Sequence, residues 1–308
     1  MSVKYTYTLF TPTYNRCITL KRLYNSLLSQ HYKNFEWLIV DDGSTDETEL
    51  LIRDFIEENK IEIVYIKQEN GGKHRAINKG LEVAKGEYFF IVDSDDYLPS
   101  NSLEILNSYR INLSKNIIGI AGRRVDTQGN IIGDGFMEGN FISDHIEKSY
   151  IKNIKGDLAE VYQTEILRKF PFPDLKNEKF CAESLLWNRI AKKYKTLFIA
   201  EPIYVCEYLR GGLSDLSIIN RVKSPNYAMI IYRELVTETR LPLKIKVRTF
   251  INYWRFSFYN KKGFIENWKN LNRNHLSLLL FPFGFLMKLK DDWDNFIRII
   301  KNESFTNH

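Results

Sequence analysis

Phe89-Phe90-Ile91-Val92-Asp93-Ser94-Asp95-Asp96 is an apolar strand that runs into three crowded carboxylates. Like charges at this spacing raise one another's pKa and destabilise a folded chain unless a cation or ligand offsets them. Hard oxygen ligands so placed suit Mg²⁺ or Mn²⁺ that also touches a diphosphate. The plainer alternative is a solvated turn that caps the next helix, where acidic residues are common. The neighbouring segments decide between the two.

Upstream, short β-rich runs alternate with helical patterns: strand 5–11, helix 18–30, strand 35–40, helix 45–58, strand 61–66, helix 74–84 and strand 87–92. This rhythm predicts an α/β fold with a largely parallel sheet. Ligands bind such sheets at the C-terminal strand edge, where segments 12–16, 41–46 and 93–96 would converge. Beyond helix 102–113 the pattern loosens into strand 117–126, a Gln128-Gly129-Asn130 turn and the segment Gly133–Gly139, which predicts a mixed second half. Strand 160–163, helix 183–194 and strands 196–199 and 204–208 lead to Leu209-Arg210-Gly211-Gly212-Leu213-Ser214, whose two glycines permit a mobile loop. From about residue 216 onward the pattern is helical only.

With 308 residues, 44% of them hydrophobic and 14% aromatic, the chain can bury a large core with an appendage, and wholesale disorder is excluded. Residues 1–8 lack the basic start and apolar block of a signal peptide, so a cytoplasmic location is expected. Cys17, Cys181 and Cys206 are far apart and odd in number, which suggests buried, reduced thiols rather than disulfides or a zinc site. Charge is uneven. The net +6 divides into −3 for residues 1–220 and +9 for residues 221–308, so the basic tail is expected to meet something anionic, either nucleic acid or the inner leaflet of a membrane. Residues 276–287 are strongly apolar but number about twelve, short of the ~20 that span a bilayer. Flanked by Arg273, Lys288 and Lys290, they suit the headgroup region, or else a hairpin packed on the catalytic domain.

Thr11-Pro12-Thr13-Tyr14-Asn15-Arg16, Val40-Asp41-Asp42-Gly43-Ser44-Thr45-Asp46, Asn70-Gly71-Gly72-Lys73 and Asp93-Ser94-Asp95-Asp96, in that order, resemble glycosyltransferase family 2 over about the first 210 residues. The resemblance implies a GT-A fold, Rossmann-like with a mixed, mostly parallel sheet flanked by helices. It also implies a nucleotide-sugar donor, most often a UDP-sugar, with inversion at the anomeric carbon. On that basis residues 1–215 would form the catalytic domain and 216–308 a basic, aromatic helical extension.

The resemblance places Pro12, Thr13, Tyr14, Arg16, Asp42, Lys73, Asp93 and Ser94 around the nucleotide. Tyr14 would stack on the base, worth ~1–3 kcal/mol for such contacts. Asp42 would accept a uracil N3–H, while Asp41 holds the loop. Lys73 or Arg75, at a helix start, would meet base or phosphate. Asp95 would bind Mn²⁺ or Mg²⁺ directly, with Asp93 near the ribose or the metal's water shell, and Asp96 a less defined neighbour. The family's Glu-Asp pair at a late helix start supplies the base; here the stretch is Ala182-Glu183-Ser184-Leu185, so the Asp position holds Ser184. Glu183 is therefore the candidate base, with Asp174 and Glu178 as alternatives, and Arg210 is expected to close over the diphosphate. The acceptor would be a glycan or a polyprenyl-linked sugar at the inner membrane surface.

Other classes fit less well. A nucleotidyltransferase would carry an N-terminal Gly-rich loop with Lys or Arg, and none precedes Tyr14. A phosphatase would place its Asp-X-Asp after the first strand, not the fourth. An inactive binding partner finds support in Ser184, and nucleic-acid binding is disfavoured because the tail's aromatics sit in helical apolar stripes.

Overall fold

The computed structural model of the chain describes residues 3–134, 139–207 and 216–306. These fall into two compact units, Met1–Pro173 with Leu186–Leu209, and Asp174–Leu185 with Arg210–His308.

The first unit opens with β1 (Tyr5–Thr13), α1 (Cys17–Leu28), β2 (Phe35–Asp41), α2 (Thr48–Glu58), β3 (Ile63–Lys67), α3 (Lys73–Val83), β4 (Gly86–Ile91) and α4 (Ser102–Arg110). It continues with β5 (Ile117–Val125), β6 (Phe141–Ser143), a π-helical turn (Glu147–Ile151), β7 (Leu158–Gln163), the short α5 (Thr164–Leu167), α6 (Ser184–Ala191), which starts in the second unit, and β8 (Lys195–Val205). One eight-stranded sheet forms in the order β3-β2-β1-β4-β7-β5-β8-β6. Pairs β1–β2, β1–β4, β2–β3 and β5–β8 are parallel, whereas β7 runs antiparallel to β4 and β5, and β6 to β8.

Strands β1, β2 and β4 of the parallel half are mostly buried, while the edge strand β3 is half-buried. Phe35 to Asp41 of β2 are buried throughout, as near-continuous apolar runs require when helices cover both sides of a sheet. On one face Tyr24 of α1 stacks on Phe55 of α2 at 4.0 Å, and Trp37 sends its indole N–H to Thr11 Oγ1 at 2.9 Å. On the other, Gly80 of α3 lies so near Phe10 that a Cβ would stand 2.4 Å from the ring. The helices are thereby fixed against the strands whose ends form the site.

Two expectations change. Segment 196–199 and residues 204–205 are parts of one strand, β8, interrupted by register shifts between Ala121 and Arg124 rather than by a loop; the strand ends at Val205, and residue 208 of the expected segment lies outside the described residues. A bulge accommodates Pro202, which cannot donate to a ladder. Cys17 is half-buried, not buried like Cys181 and Cys206, and all three are free thiols.

The second unit is helical, as its sequence predicts: α7 (Ser217–Lys223), α8 (Pro225–Val236), α9 (Leu243–Ser257), α10 (Phe264–Asn270) and α11 (His275–Thr306). Its core gathers around Trp254, fully buried, whose indole N–H donates to Ser277 O at 2.7 Å. The buried Arg255 sends Nε to Asp291 Oδ2 at 2.6 Å. Segment 174–185 is fastened here too, since Glu178 Oε1 accepts the Asn226 N–H and Oε2 the Tyr227 N–H, both at 3.0 Å, capping the first turn of α8. Among the described residues no helix is long and apolar enough to cross a membrane.

Gly284 lets α11 approach α9, because a Cβ there would lie 2.5 Å from Trp254 Cβ and 3.0 Å from the Arg255 backbone N. Gly284→Val should therefore lower stability by about 1–3 kcal/mol, as overpacking does. Denaturant titration followed by tryptophan fluorescence checks this.

Candidate functional site at the C-terminal strand edge

The C-terminal ends of β1, β2, β3 and β4 share one edge of the sheet, so the loops that follow them are neighbours. After β1, Asn15 takes a left-handed backbone (φ 52) that asparagine tolerates. Its N–H donates to Ser44 Oγ at 2.9 Å, its Oδ1 accepts from the Thr45 N–H at 2.8 Å, and the Arg16 N–H donates to Thr48 Oγ1 at 3.1 Å. These bonds lock the first loop on the second and leave Tyr14 47% exposed. Thr13 is buried and its backbone carbonyl takes the Asp42 N–H at 2.8 Å, while Pro12 pairs in register with Val40.

Asp41 and Asp42, adjacent in sequence, divide the labour. Asp41 Oδ1 accepts the Ser44 N–H at 2.7 Å and Oδ2 the Tyr65 hydroxyl at 2.9 Å, so it holds its own loop. Asp42 reaches the loop after β3: Oδ1 accepts Gln68 Nε2 at 2.7 Å and the Gly71 N–H at 2.8 Å, and Oδ2 the Gly72 N–H at 2.7 Å. A carboxylate has about four acceptor positions, so one remains on Oδ2. Gly72, at φ 99, then opens α3 and delivers Lys73, whose Nζ lies 2.5 Å from Asp93 Oδ1.

Three acidic side chains behind β4 have separate environments. Burial opposes the charge on Asp93, yet Lys73, Arg124 and Arg16 hold its carboxyl below the usual range. Burial and the charge of Asp93 push Asp95 up, while Arg16 lies 3.9 Å from its Oδ2. Burial and Asp93 also push Asp96 up, to about 6. Ser94 is buried between them.

Three residues that the sequence reading missed brace this turn. The fully buried Tyr204 of β8 accepts the Asp93 N–H on its hydroxyl at 2.9 Å and hydrogen-bonds Asp96. Arg124 of β5 stacks its guanidinium over the Tyr204 ring, 4.4 Å from the centroid. Arg22 of α1 bonds both the Asp95 carbonyl and Glu207. Asp96 Oδ1 also accepts the Glu207 N–H at 2.9 Å. Tyr204 and Arg124 lie on strands whose patterns signal only core, and Arg22 is a half-exposed residue of an otherwise ordinary amphipathic helix.

Among the described residues no group of three or more His, Cys, Asp or Glu side chains is placed to hold a metal ion. The acidic turn nonetheless fits a divalent cation that keeps most of its coordination for phosphate and water, since Mg²⁺ is usually held by one or two carboxylates. Asp95, crowded by Asp93 and pushed toward the protonated form, is the carboxylate that such a cation would relieve. Glu183 is half-buried in the turn before α6, within segment 174–185, and the alternative base Glu178 has both oxygens engaged at the α8 terminus. Arg210 lies outside the described residues.

The folded chain holds the Asp96 proton more tightly than the unfolded chain, whose ordinary value is 3.8, so stability falls as pH rises from there through about 6. Asp95 acts in the same direction, and Asp93, held low, acts only below its ordinary value. Denaturant titrations in EDTA should show this decline, and Asp96→Asn should flatten it by roughly 2–3 kcal/mol. Tyr204→Phe removes a hydroxyl from two buried partners; it should lower stability by about 1–3 kcal/mol and move the same decline to higher pH, because Asp96 loses a donor to its charged form.

Residues 8–157 match the model of glycosyl transferase family 2. The pneumococcal glycosyltransferase GlyA (Streptococcus pneumoniae serotype 4) is 30% identical over 166 residues, which are 53% of this chain and 22% of GlyA. The GalNAc(5)-diNAcBac-PP-undecaprenol beta-1,3-glucosyltransferase of Campylobacter jejuni is 25% identical over 273 residues, 84% of either chain. The chain spans about a fifth to two thirds of the length of the first curated relatives it matches. Among solved structures, S. aureus TarS 1–349 in complex with UDP-GlcNAc superposes with a TM-score of 0.61 at 21% identity, covering 88% of this chain and 79% of that one. The mannosyltransferase PcManGT from Pyrobaculum calidifontis, in complex with GDP-Man and Mn²⁺, gives 0.55 at 17% identity, over 94% and 88%. The expected GT-A architecture is thus shown. The four strand-end motifs on one edge of that fold all lie within residues 8–157, the part of the chain that matches glycosyl transferase family 2.

Proposed function

We propose that the chain is an inverting glycosyltransferase that moves a sugar from a nucleotide sugar, a UDP-sugar before others, to a hydroxyl of a glycan or polyprenyl-linked acceptor. Residues 1–215 would bind the donor, and 216–308 would meet the inner face of the cell membrane. The observation that carries this reading is the Asp42–Gly71–Gly72 fastening, which brings Lys73 onto Asp93 beside Asp95 and Arg16. A cationic side chain, a helix start and crowded carboxylates at one strand edge are what a nucleoside diphosphate with a divalent ion requires. The donor named in the TarS complex supports UDP, the Campylobacter relative's name supports a lipid-linked acceptor, and PcManGT supports Mn²⁺.

In this reading Tyr14 offers its exposed ring to the base, and the remaining acceptor position of Asp42 takes an N3–H. Arg16 and Lys73 meet phosphate oxygens. Asp95, with Asp93, would hold Mn²⁺ or Mg²⁺, which when bound supplies Lewis-acid stabilisation of the departing diphosphate. Glu183 takes the acceptor hydroxyl proton as that oxygen attacks the anomeric carbon opposite the diphosphate. A new glycosidic C–O bond forms while the bond to the phosphate oxygen breaks, and the centre inverts. Ser184 favours a second reading, a nucleotide-sugar-binding partner without catalysis.

Slow hydrolysis of UDP-, GDP- and dTDP-sugars, with Mn²⁺, Mg²⁺ or EDTA, separates the two without an acceptor. We expect metal-dependent UDP release from one donor, lowered on the order of 100-fold or more by Asp95→Ala. Glu183→Gln should cut transfer to an acceptor by roughly 10²–10⁴-fold while donor binding persists. Silence with every donor, together with no thermal shift from UDP and Mn²⁺, would favour the binding partner.

A further inference from the structure

The inner face of α11 is set by Ser277, Gly284 and Asp291, all buried and spaced by seven residues. On the opposite side Leu279 is 72% exposed, Phe283 53%, Leu286 60% and Trp293 64%. At about 100° per residue these four fall within roughly 80° of arc, and with Leu276 they extend over about 26 Å of helix. Isolated exposed apolar residues are ordinary, but a continuous row of large ones on one helix face marks an interaction surface. Within residues 276–293 the one charge on this arc is Lys290, which is exposed.

We infer that this face of α11 docks on an anionic lipid surface, lying in the headgroup layer with Leu279, Phe283 and Leu286 pressed into the acyl boundary. Three features favour a bilayer leaflet over a second copy of the chain. A two-fold contact through the stripe would bring together two segments that each carry +9 over residues 221–308. An anionic leaflet attracts both the lysine and the segment. A tryptophan at the end of an apolar row is also the side chain that settles at a membrane–water boundary. The apolar length suits lying on the surface, since no described helix is apolar over a full span.

The inference rests on the membrane-face element of the proposed function and on no step of its chemistry. Flotation of the full chain with phosphatidylcholine vesicles, with and without phosphatidylglycerol, tests it. The wild type should float with the anionic vesicles, less at high salt and less with phosphatidylcholine alone. Leu279→Glu with Leu286→Glu should lower the partition coefficient at least tenfold, and Leu279→Ser with Leu286→Ser, a milder pair that keeps the charge, should lower it in the same direction. Leu50→Glu, at an exposed position on α2, should leave it unchanged. Donor hydrolysis should be equal in wild type and both stripe variants. Hydrolysis without flotation, flotation unaffected by both stripe pairs, or a concentration-dependent dimer abolished by those pairs would overturn the inference alone. Flotation without hydrolysis would overturn the enzyme reading alone.

Discussion

Everything at the strand edge depends on how the Asp42 carboxylate is used. It sits at the end of β2 and gathers two successive backbone N–H groups, Gly71 and Gly72, from a loop that would otherwise have no reason to turn there. Gly72 can take the left-handed conformation that starts α3, and α3 then presents Lys73 to Asp93 across two strands. One buried anion thus sets the direction of a helix and the address of a cation. Asp41, one residue earlier, performs the local task of closing its own turn, which frees Asp42 for the longer reach.

The acidic turn illustrates a conflict between folding and ligand binding. Three carboxylates within four residues are unfavourable to bring together, and the protein moderates the conflict unevenly. Asp93 is satisfied by Lys73 and by the positive field of Arg124 and Arg16; Asp96 is satisfied by hydrogen bonds from Tyr204 and the Glu207 N–H. Asp95 is pushed up by burial and by Asp93 and partly relieved by Arg16, 3.9 Å away, and by Lys73. Asp93 is thus held charged by cations, while its two acidic neighbours are both pushed toward the protonated form.

The fold was legible because its signals are local. Alternation of β-rich and helical segments, the apolar burial of both sheet faces and the strand-end motifs each depend on a few neighbouring residues, and they survive in the structure with shifts of one to three residues at element ends. The short β6 and the bulge in β8 were not legible, since a three-residue strand has no period and Pro202 looks like a terminator when the chain in fact continues past it. In the site, residues on the loops announced themselves by type. The bracing residues did not, because Tyr204, Arg124 and Arg22 meet the acidic turn only through packing between elements up to 111 positions apart. An arginine in a strand has no sequence signature that separates a buried partner of tyrosine from a solvated edge charge.

Glu178 gives its two carboxylate oxygens to the first turn of α8, five residues before Glu183. The stretch that carries the candidate base therefore takes its conformation from helices that come later in the chain. Modularity in sequence and modularity in three dimensions part company here. Residues 1–173 recombined onto a foreign tail would keep the four strand-end motifs and lose the bonds that fasten segment 174–185, which carries Glu183.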